Sequence, residues 1–336
     1  MSALTRCLWV CIGSVLVGCA APDQEYAFLG STMGTSWSVK VIASVDLDTV
    51  SIEKEMQGLM DRVNAKMSNW IADSEVSQFN ASAAGCYAIS QDTAKVISIS
   101  QSLSQASNGV FDATAGPLIQ LWGFGTDFGV EHTPDLVDIQ QQIANIGYEK
   151  IQLKDGLLCK DMDQLSINLS ATAKGYAVDL VADYLEQEGL HNYLVEIGGE
   201  LRVSGLNLNG SPWRVGIETP EDYGFSDIAG RPIQEVIEIS DQALATSGDY
   251  RNFFMDQGVR YSHVIDPRSG YPVPQDVASV TVVHPSALWA DGWATTLLAV
   301  GSERAIELAE DNDLAVYMIL RSEQGFDILT STEWVF

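Results

Sequence analysis

Asp291 and Thr295 lie four residues apart in the apolar stretch Ala290-Asp291-Gly292-Trp293-Ala294-Thr295-Thr296. On a helix that spacing puts both oxygens on one face. A carboxylate and a hydroxyl are hard ligands suited to Mg²⁺, usually completed by water and substrate phosphate. The plain alternative is Asp291 as a capping or first-turn acid. The segment Asn168 to Tyr176 opens a second helix with Asn and Ser caps and sets Lys174 in its first turns. A helix N-terminus with a lysine suits a phosphate; a solvated lysine on a capped helix is the alternative. In Tyr261-Ser262-His263-Val264-Ile265-Asp266-Pro267 a histidine precedes an aspartate by three. His263 could act as a general base near neutral pH, or be an ordinary satisfied histidine. Gly30-Ser31-Thr32-Met33-Gly34-Thr35 could cradle an anion with backbone N–H groups, or be a loop before a strand. His132, His191 and His284 lack such company, and no HxxxH or HExxH spacing exists, which disfavours a zinc hydrolase.

These groups belong to a chain of 336 residues with 18 Lys+Arg against 45 Asp+Glu and a net charge of −27. Hydrophobic residues make up 46%, which excludes wholesale disorder. So acidic a chain repels nucleic acid, whose binding rests on neutralised phosphates. An anionic ligand would need a local cation, and a bound divalent ion at Asp291 and Thr295 would provide one.

Residues 1–18 read as an export signal, with Arg6 before the apolar run Leu8–Val17. Leu16-Val17-Gly18-Cys19 resembles a bacterial lipobox, which makes Cys19 the lipidated residue and 19–26 a tether, with 27–336 the functional domain. Cys86 and Cys159 then remain in an oxidising compartment, as a disulfide or as two buried thiols.

The elements that must position the chemistry follow from periodicity. A strand is expected within 28–42. Helices are expected over 48–67, 93–107, 135–146, 171–188, 289–301 and 303–311, and a loop over 116–128. Strands are expected over 151–158, 165–169, 193–197, 200–204, 213–218, 234–240, 278–283, 315–320 and 326–329. The irregular mixture predicts an α+β fold in a single domain, with mixed sheets and flanking helices.

Seven segments in order resemble the ApbE family of bacterial periplasmic lipoprotein flavin transferases. They are Gly30 to Thr35; Phe111-Asp112-Ala113-Thr114 with Gly116-Pro117-Leu118 and Leu121-Trp122-Gly123; Asn168 to Gly175; Tyr193 to Glu200; Ala245 to Tyr250; Ser262 to Pro267 with Ser269-Gly270; and Ala290-Asp291 with Thr295. The resemblance runs from about residue 27 to the C-terminus. It implies an FAD:protein FMN transferase, which joins the FMN phosphate of FAD to a Thr or Ser hydroxyl of a target protein and releases AMP. Implied targets are subunits of membrane redox complexes, of the sodium-pumping quinone reductase or related type. An FAD pyrophosphatase giving FMN and AMP, and a non-catalytic flavin-binding lipoprotein, are the alternatives. By position the resemblance implies Asp291, Thr295 and the Ala171 carbonyl as Mg²⁺ ligands. It implies Met33, Trp70, Phe111, Asp112, Ala113, Asn168, Lys174, His263 and Ile265 as flavin-nucleotide contacts, with His263 the expected base. Trp70 falls where the family often has Tyr, and Asn168 where it usually has Asp. Asparagine can hydrogen-bond there but lacks a carboxylate's charge. The expected location is the periplasmic side of a bacterial membrane, anchored at Cys19, with the inner membrane favoured over the outer.

Overall fold

The computed structural model describes residues 22–125, 132–221, 232–250 and 252–336. The signal 1–18, Cys19 and the end of the expected loop 116–128 lie outside the described residues. In chain order the elements are β1 (Gln24–Thr32), β2 (Thr35–Ala43), α1 (Thr49–Met67), α2 (Glu75–Ala81), β3 (Gly85–Ala88), α3 (Gln91–Ala106), α4 (Gly116–Leu121), α5 (Leu136–Ala144), β4 (Ile151–Lys154) and β5 (Leu157–Lys160). There follow α6 (Ala173–Gln187), β6 (Tyr193–Ile197), β7 (Glu200–Ser204), β8 (Trp213–Glu218), β9 (Ile233–Ile239), β10 (Gln242–Gly248), β11 (Phe253–Asp256), β12 (Val259–Ser262), β13 (Ile265–Asp266) and β14 (Tyr271–Pro272). The chain closes with β15 (Val277–His284), α7 (Ala287–Val300), α8 (Ser302–Asp311), β16 (Ala315–Ser322) and β17 (Gly325–Thr330).

An eight-stranded sheet in the order β1-β2-β6-β7-β10-β15-β16-β17 organises the molecule, with every neighbouring pair antiparallel. Alternation along the strands divides its faces. Trp37, Val39 and Val41 of β2 join Tyr193, Val195 and Ile197 of β6 in a core with α1 and α6, while Val280 and Val282 of β15 pack with α7. Ile42, Leu201, Val203 and Val283 face the other way, under the β8–β9 ribbon. The α1 stripe Ile52, Met56, Met60, Val63 and Met67 is buried at the expected spacing, and Asp48 caps that helix by accepting from Ser51 N at 3.2 Å.

The fold is α+β with several sheets and flanking helices, as expected. Five local expectations are corrected. β1 begins at Gln24, so the last residues of the expected tether 19–26 are paired in the sheet, Gln24 opposite Ala43. The Gly30–Thr35 turn is a two-residue hairpin in which Met33 (φ 49°) and Gly34 (φ 74°) take the positive φ values that suit strand twist. The expected strand 151–158 is the hairpin β4–β5, turning at Asp155-Gly156 (φ 50° and 78°). The expected loop over 116–128 begins with α4, where Pro117 occupies a first-turn position. Residues 165–169 form no strand: Asn80 Oδ1 accepts from Ile167 N at 2.8 Å, and the Ile167 carbonyl accepts from Asn80 Nδ2 and Asn69 Nδ2 at 2.9 Å each. Cys86 and Cys159, directly opposite in β3 and β5, are joined by a disulfide.

Two helices carry reciprocal caps. Asp179 of α6 accepts at the start of α7 from Ser286 Oγ (2.6 Å), Ala287 N (2.9 Å) and Leu288 N (3.1 Å). Asp291 of α7 accepts at the start of α6 from Gly175 N at 2.9 Å. Each carboxylate satisfies amides that a helix start leaves open. The approach requires Gly175, because a Cβ there would lie 2.3 Å from the Ala287 carbonyl oxygen and 2.8 Å from Asp291 Cβ. Gly→Ala inside a helix ordinarily stabilises by about 0.5–1 kcal/mol. At Gly175 the clash reverses the sign, and Gly175→Ala should destabilise by about 1–3 kcal/mol, read as a lowered midpoint in thermal denaturation.

Candidate active site

A cleft of about 900 Å³ opens at the end of the main sheet where β6 finishes and β7 starts, beside the first turns of α6 and α7. Such mostly preformed clefts suit small ligands. Trp70, Phe111, Asp112, Ala113, Asn168, Ala171, Lys174, His263, Ile265, Asp291 and Thr295 all line it. Residues spread over more than two hundred positions thus converge. Met33 is not among the lining residues; it sits at the β1–β2 tip, packed partly against the main core.

Electrostatics concentrate at Lys174. Its Nζ lies 2.7 Å from Glu200 Oε1 and 3.8 Å from Asp291 Oδ1. The side chains of Glu200 and Asp291 are only 5% and 3% exposed. Burial pushes the Asp291 carboxyl above the usual range; Lys174 pulls it back and Glu200 raises it further. The β6–β7 turn makes room for this arrangement. Gly198 (φ 65°) would, with a Cβ, press within 2.8 Å of Thr35 Cγ2 and 3.4 Å of Lys174 Cδ.

Oxygen donors gather around Asp291. Oδ2 takes the Gly175 N–H, one of the amides that the start of α6 leaves open. Ala171, two residues before α6, lines the same wall. Thr295, one helical turn after Asp291, exchanges a 3.0 Å hydrogen bond with Ser247 of β10. One carboxylate, one hydroxyl and one carbonyl are the mixed hard-oxygen set that suits Mg²⁺ with a phosphate ligand. Among the described residues no group of three or more His, Cys, Asp or Glu is arranged for a metal, so a cation here would rely on neutral oxygens and ligand phosphate.

The opposite wall carries His263. Its backbone N and ring Nδ1 both lie 3.1 Å from the Asn252 carbonyl oxygen. A carbonyl only accepts, so Nδ1 carries the proton and Nε2 the lone pair. Burial holds the imidazole below its ordinary value against the raising effects of that carbonyl and Asp249; Lys174 and Arg260 lower it further. The histidine is therefore neutral near pH 7. It meets Phe124 edge-on, centroids 6.3 Å apart. The preceding β11–β12 hairpin is anchored by buried Asp249, which pairs with Arg260 Nη1 at 3.1 Å and Arg321 Nη2 at 2.5 Å.

Two expected contacts use their side chains largely within the protein. Asp112 Oδ1 accepts from Thr114 N and Oγ1 at 2.7 Å, and Oδ2 from Tyr148 N at 2.9 Å; burial raises its carboxyl despite these bonds. Asn168 Oδ1 accepts from Ser170 N and Oγ at 2.9 and 2.6 Å, and its backbone N donates to the Ala113 carbonyl at 2.7 Å. That turn needs an acceptor, which Asn supplies as well as Asp. Trp70 stands at the rim, 56% exposed. Sequence reasoning assigned no roles to Glu200, Ser247, Asn252 or Asp249. Glu200, Ser247 and Asp249 do fall in the Tyr193–Glu200 and Ala245–Tyr250 segments, which are the available signal.

The ApbE family model matches residues 33–318. The chain is 41% identical to an FAD:protein FMN transferase of Vibrio cholerae, over 95% of each chain, and 39% identical to one of Haemophilus influenzae, over 93% of this chain and 91% of that one. The solved structure of the flavin transferase ApbE from Vibrio cholerae superposes with a TM-score of 0.85 at 40% identity, covering 93% of this chain and 99% of that one. The apo flavinyl transferase ApbE of Pseudomonas stutzeri gives 0.84 at 36% identity, covering 93% and 96%. Replacing Asp249 removes the buried carboxylate that Arg260 and Arg321 share and leaves them neutral acceptors only, so Asp249→Ala should cost about 3–5 kcal/mol, measured as a lowered midpoint in urea denaturation.

Proposed function

The chain belongs to the ApbE family, and on that premise we propose that it transfers FMN from FAD to a Ser or Thr hydroxyl of an acceptor protein and releases AMP. The observation that carries this reading is one cleft lined both by Lys174, Asp291, Thr295 and Ala171 and by a neutral His263. The first group suits a pyrophosphate, and the histidine suits proton abstraction.

Lys174 binds the pyrophosphate and neutralises its charge, held in place by Glu200. His263 Nε2 takes the proton of the acceptor hydroxyl, whose oxygen forms a bond to the FMN phosphorus. The bond between that phosphorus and the bridging oxygen breaks, and AMP departs with the electron pair. Asn252 keeps the imidazole in the tautomer this requires. Trp70 stacks on an aromatic ring of FAD, with Phe111, Ala113 and Ile265 as further contacts. Asp112 and Asn168 shape the wall through their internal hydrogen bonds. Mg²⁺ held by Asp291, Thr295 and the Ala171 carbonyl would supply the charge stabilisation that an acidic protein otherwise lacks at a phosphoryl group. The donor set supports this ion, and the net charge of −27 makes strong dependence on it the expected behaviour.

The lipobox at Cys19 supports anchoring on the periplasmic side of a bacterial membrane, where subunits of membrane redox complexes would be the acceptors. Incubation with FAD, Mg²⁺ and such a subunit tests the reading. Covalent flavin fluorescence on the acceptor is expected; release of free FMN and AMP alone would make the protein an FAD pyrophosphatase, and no turnover a flavin binder.

His263→Ala should lower transfer about 10²–10⁴-fold while FAD affinity, measured by flavin fluorescence quenching, stays within a few-fold. The acid limb of kcat/KM should have its midpoint below the ordinary histidine value of 6.5, because a lowered pKa keeps the base form populated to lower pH. Chelation should abolish transfer, and Asp291→Ala should remove the response to added Mg²⁺ in activity titrations; unchanged titration would exclude Asp291 as a ligand.

A further inference from the structure

The start of the sheet and the cleft lie at opposite ends of the strands. Antiparallel pairing aligns Gly30, Trp37, Ile197 and Glu200 in one row across β1, β2, β6 and β7, and Glu200 lines the cleft. Tyr26, Val41, Tyr193 and Ser204 form the row four residues further along. Gln24, where β1 begins, pairs with Ala43 two residues beyond that. It is thus six residues from the cleft row, about 20 Å at the rise of a strand. Cys19 precedes Gln24 by only five residues, a reach of at most about 17 Å. A bilayer that holds Cys19 therefore lies close to the end of the sheet remote from the cleft.

The loop that leaves β7 at this same end is built to meet such a surface. From Val203 to Trp213 it carries no charged residue, so it escapes the repulsion that anionic headgroups exert on the rest of this acidic chain. Leu206 and Leu208 stand out from it, 43% and 49% exposed. The backbone beneath them is fixed. Asn207 N donates to the Ser211 carbonyl at 2.9 Å, Asn207 Nδ2 donates to the Pro212 carbonyl at 2.8 Å, and Asn207 Oδ1 accepts from Asn209 N at 2.9 Å. Asn192 Oδ1 accepts from Leu206 N at 2.8 Å, and Asp241 Oδ1 from Gly205 N at 2.9 Å. The loop presents its leucines already ordered, which lowers the cost of a contact. β7 is the third strand from β1, about 14 Å across the sheet, so tether and loop are two separate points at one end.

We propose that Leu206 and Leu208 rest on the bilayer as a second contact beside the lipid tether, and that the two contacts together hold the cleft turned away from the membrane. The inference rests on the lipid-anchor reading of Cys19. Two half-exposed leucines bind a bilayer weakly alone, but a short tether raises their effective concentration to about the millimolar range. The acyl chains supply attachment and the leucines supply orientation. The acceptor hydroxyl is then met about 20 Å or more above the anchoring surface.

The full-length protein, produced with its export signal and reconstituted into vesicles of phosphatidylethanolamine and phosphatidylglycerol, tests this. Cys86 and Cys159 are joined to each other, so a cysteine introduced on the surface of the processed chain takes an environment-sensitive fluorophore. Leu208→Cys places it on the loop, with Leu206→Cys in reserve if the first variant melts early. Leu29→Cys places it on β1, 73% exposed and one residue from the cleft row. The label at position 208 should shift to shorter wavelength and lose emission to spin-labelled lipid, and the label at 29 should do neither. Replacing the neighbouring Leu206 by Ser in the Leu208→Cys protein should reduce the quenching. Equal quenching at both positions, quenching at 29 alone, or quenching at neither would overturn the proposal. Mass spectrometry of the N-terminal peptide separates the two readings. An unacylated Cys19 would overturn the anchor and the loop contact with it; an acylated Cys19 with an unquenched loop would overturn the loop contact alone.

Discussion

The site depends on how closely α6 and α7 approach. Asp179 of α6 receives the first amides of α7, and Asp291 of α7 receives the Gly175 amide of α6. The two carboxylates lie 112 positions apart and each ends up buried at the other helix's start. Gly175 permits the contact, because any side chain would meet the Ala287 carbonyl. Three consequences converge from this one clasp. Lys174, adjacent to Gly175, is brought to Asp291. Ala171, just before α6, is set at the same cleft wall. Thr295, a turn beyond Asp291, faces the same space.

Burying charge in so acidic a chain raises the question of what compensates it. Lys174 is shared by Glu200 and Asp291, with 2.7 Å to one and 3.8 Å to the other. One ammonium between two buried carboxylates leaves net negative charge in a region of low dielectric. A site left this way favours cations. The same logic operates in the second wall with opposite sign, where one carboxylate, Asp249, serves two arginines. That wall holds the hairpin that precedes His263, whose imidazole Nδ1 and backbone N both meet the Asn252 carbonyl. Lys174 and His263 are therefore held on separate frameworks, one built on helix starts and the other beside a hairpin clamped by Asp249.

Much of the architecture was legible in the residues. The α1 stripe, the strands of β6 and β7, and α7 with its Asp291–Thr295 pair lie where periodicity puts them. Misreadings have local causes. Leu165, Ile167 and Leu169 alternate and are buried, yet no strand flanks them, because side-chain amides of Asn69 and Asn80 occupy the Ile167 backbone. Alternation reports which way residues point, not whether a neighbouring strand exists. β10 shows no alternation for the converse reason: Ala243, Leu244 and Ala245 are buried in succession, on both faces of the strand.

The sequence by itself determined the elements, the acidic balance, the family likeness and the chemical types gathered in the motifs, since these depend on residues near one another in the chain. It could not determine that Gly175 donates to Asp291, that Glu200 pairs with Lys174, or which imidazole nitrogen of His263 is free. It left Cys86 and Cys159 open between a disulfide and two thiols, and their opposition in β3 and β5 decides for the disulfide. Each of these depends on distances of a few ångströms between residues far apart in the chain, and on the removal of water from around them. Packing alone fixes both.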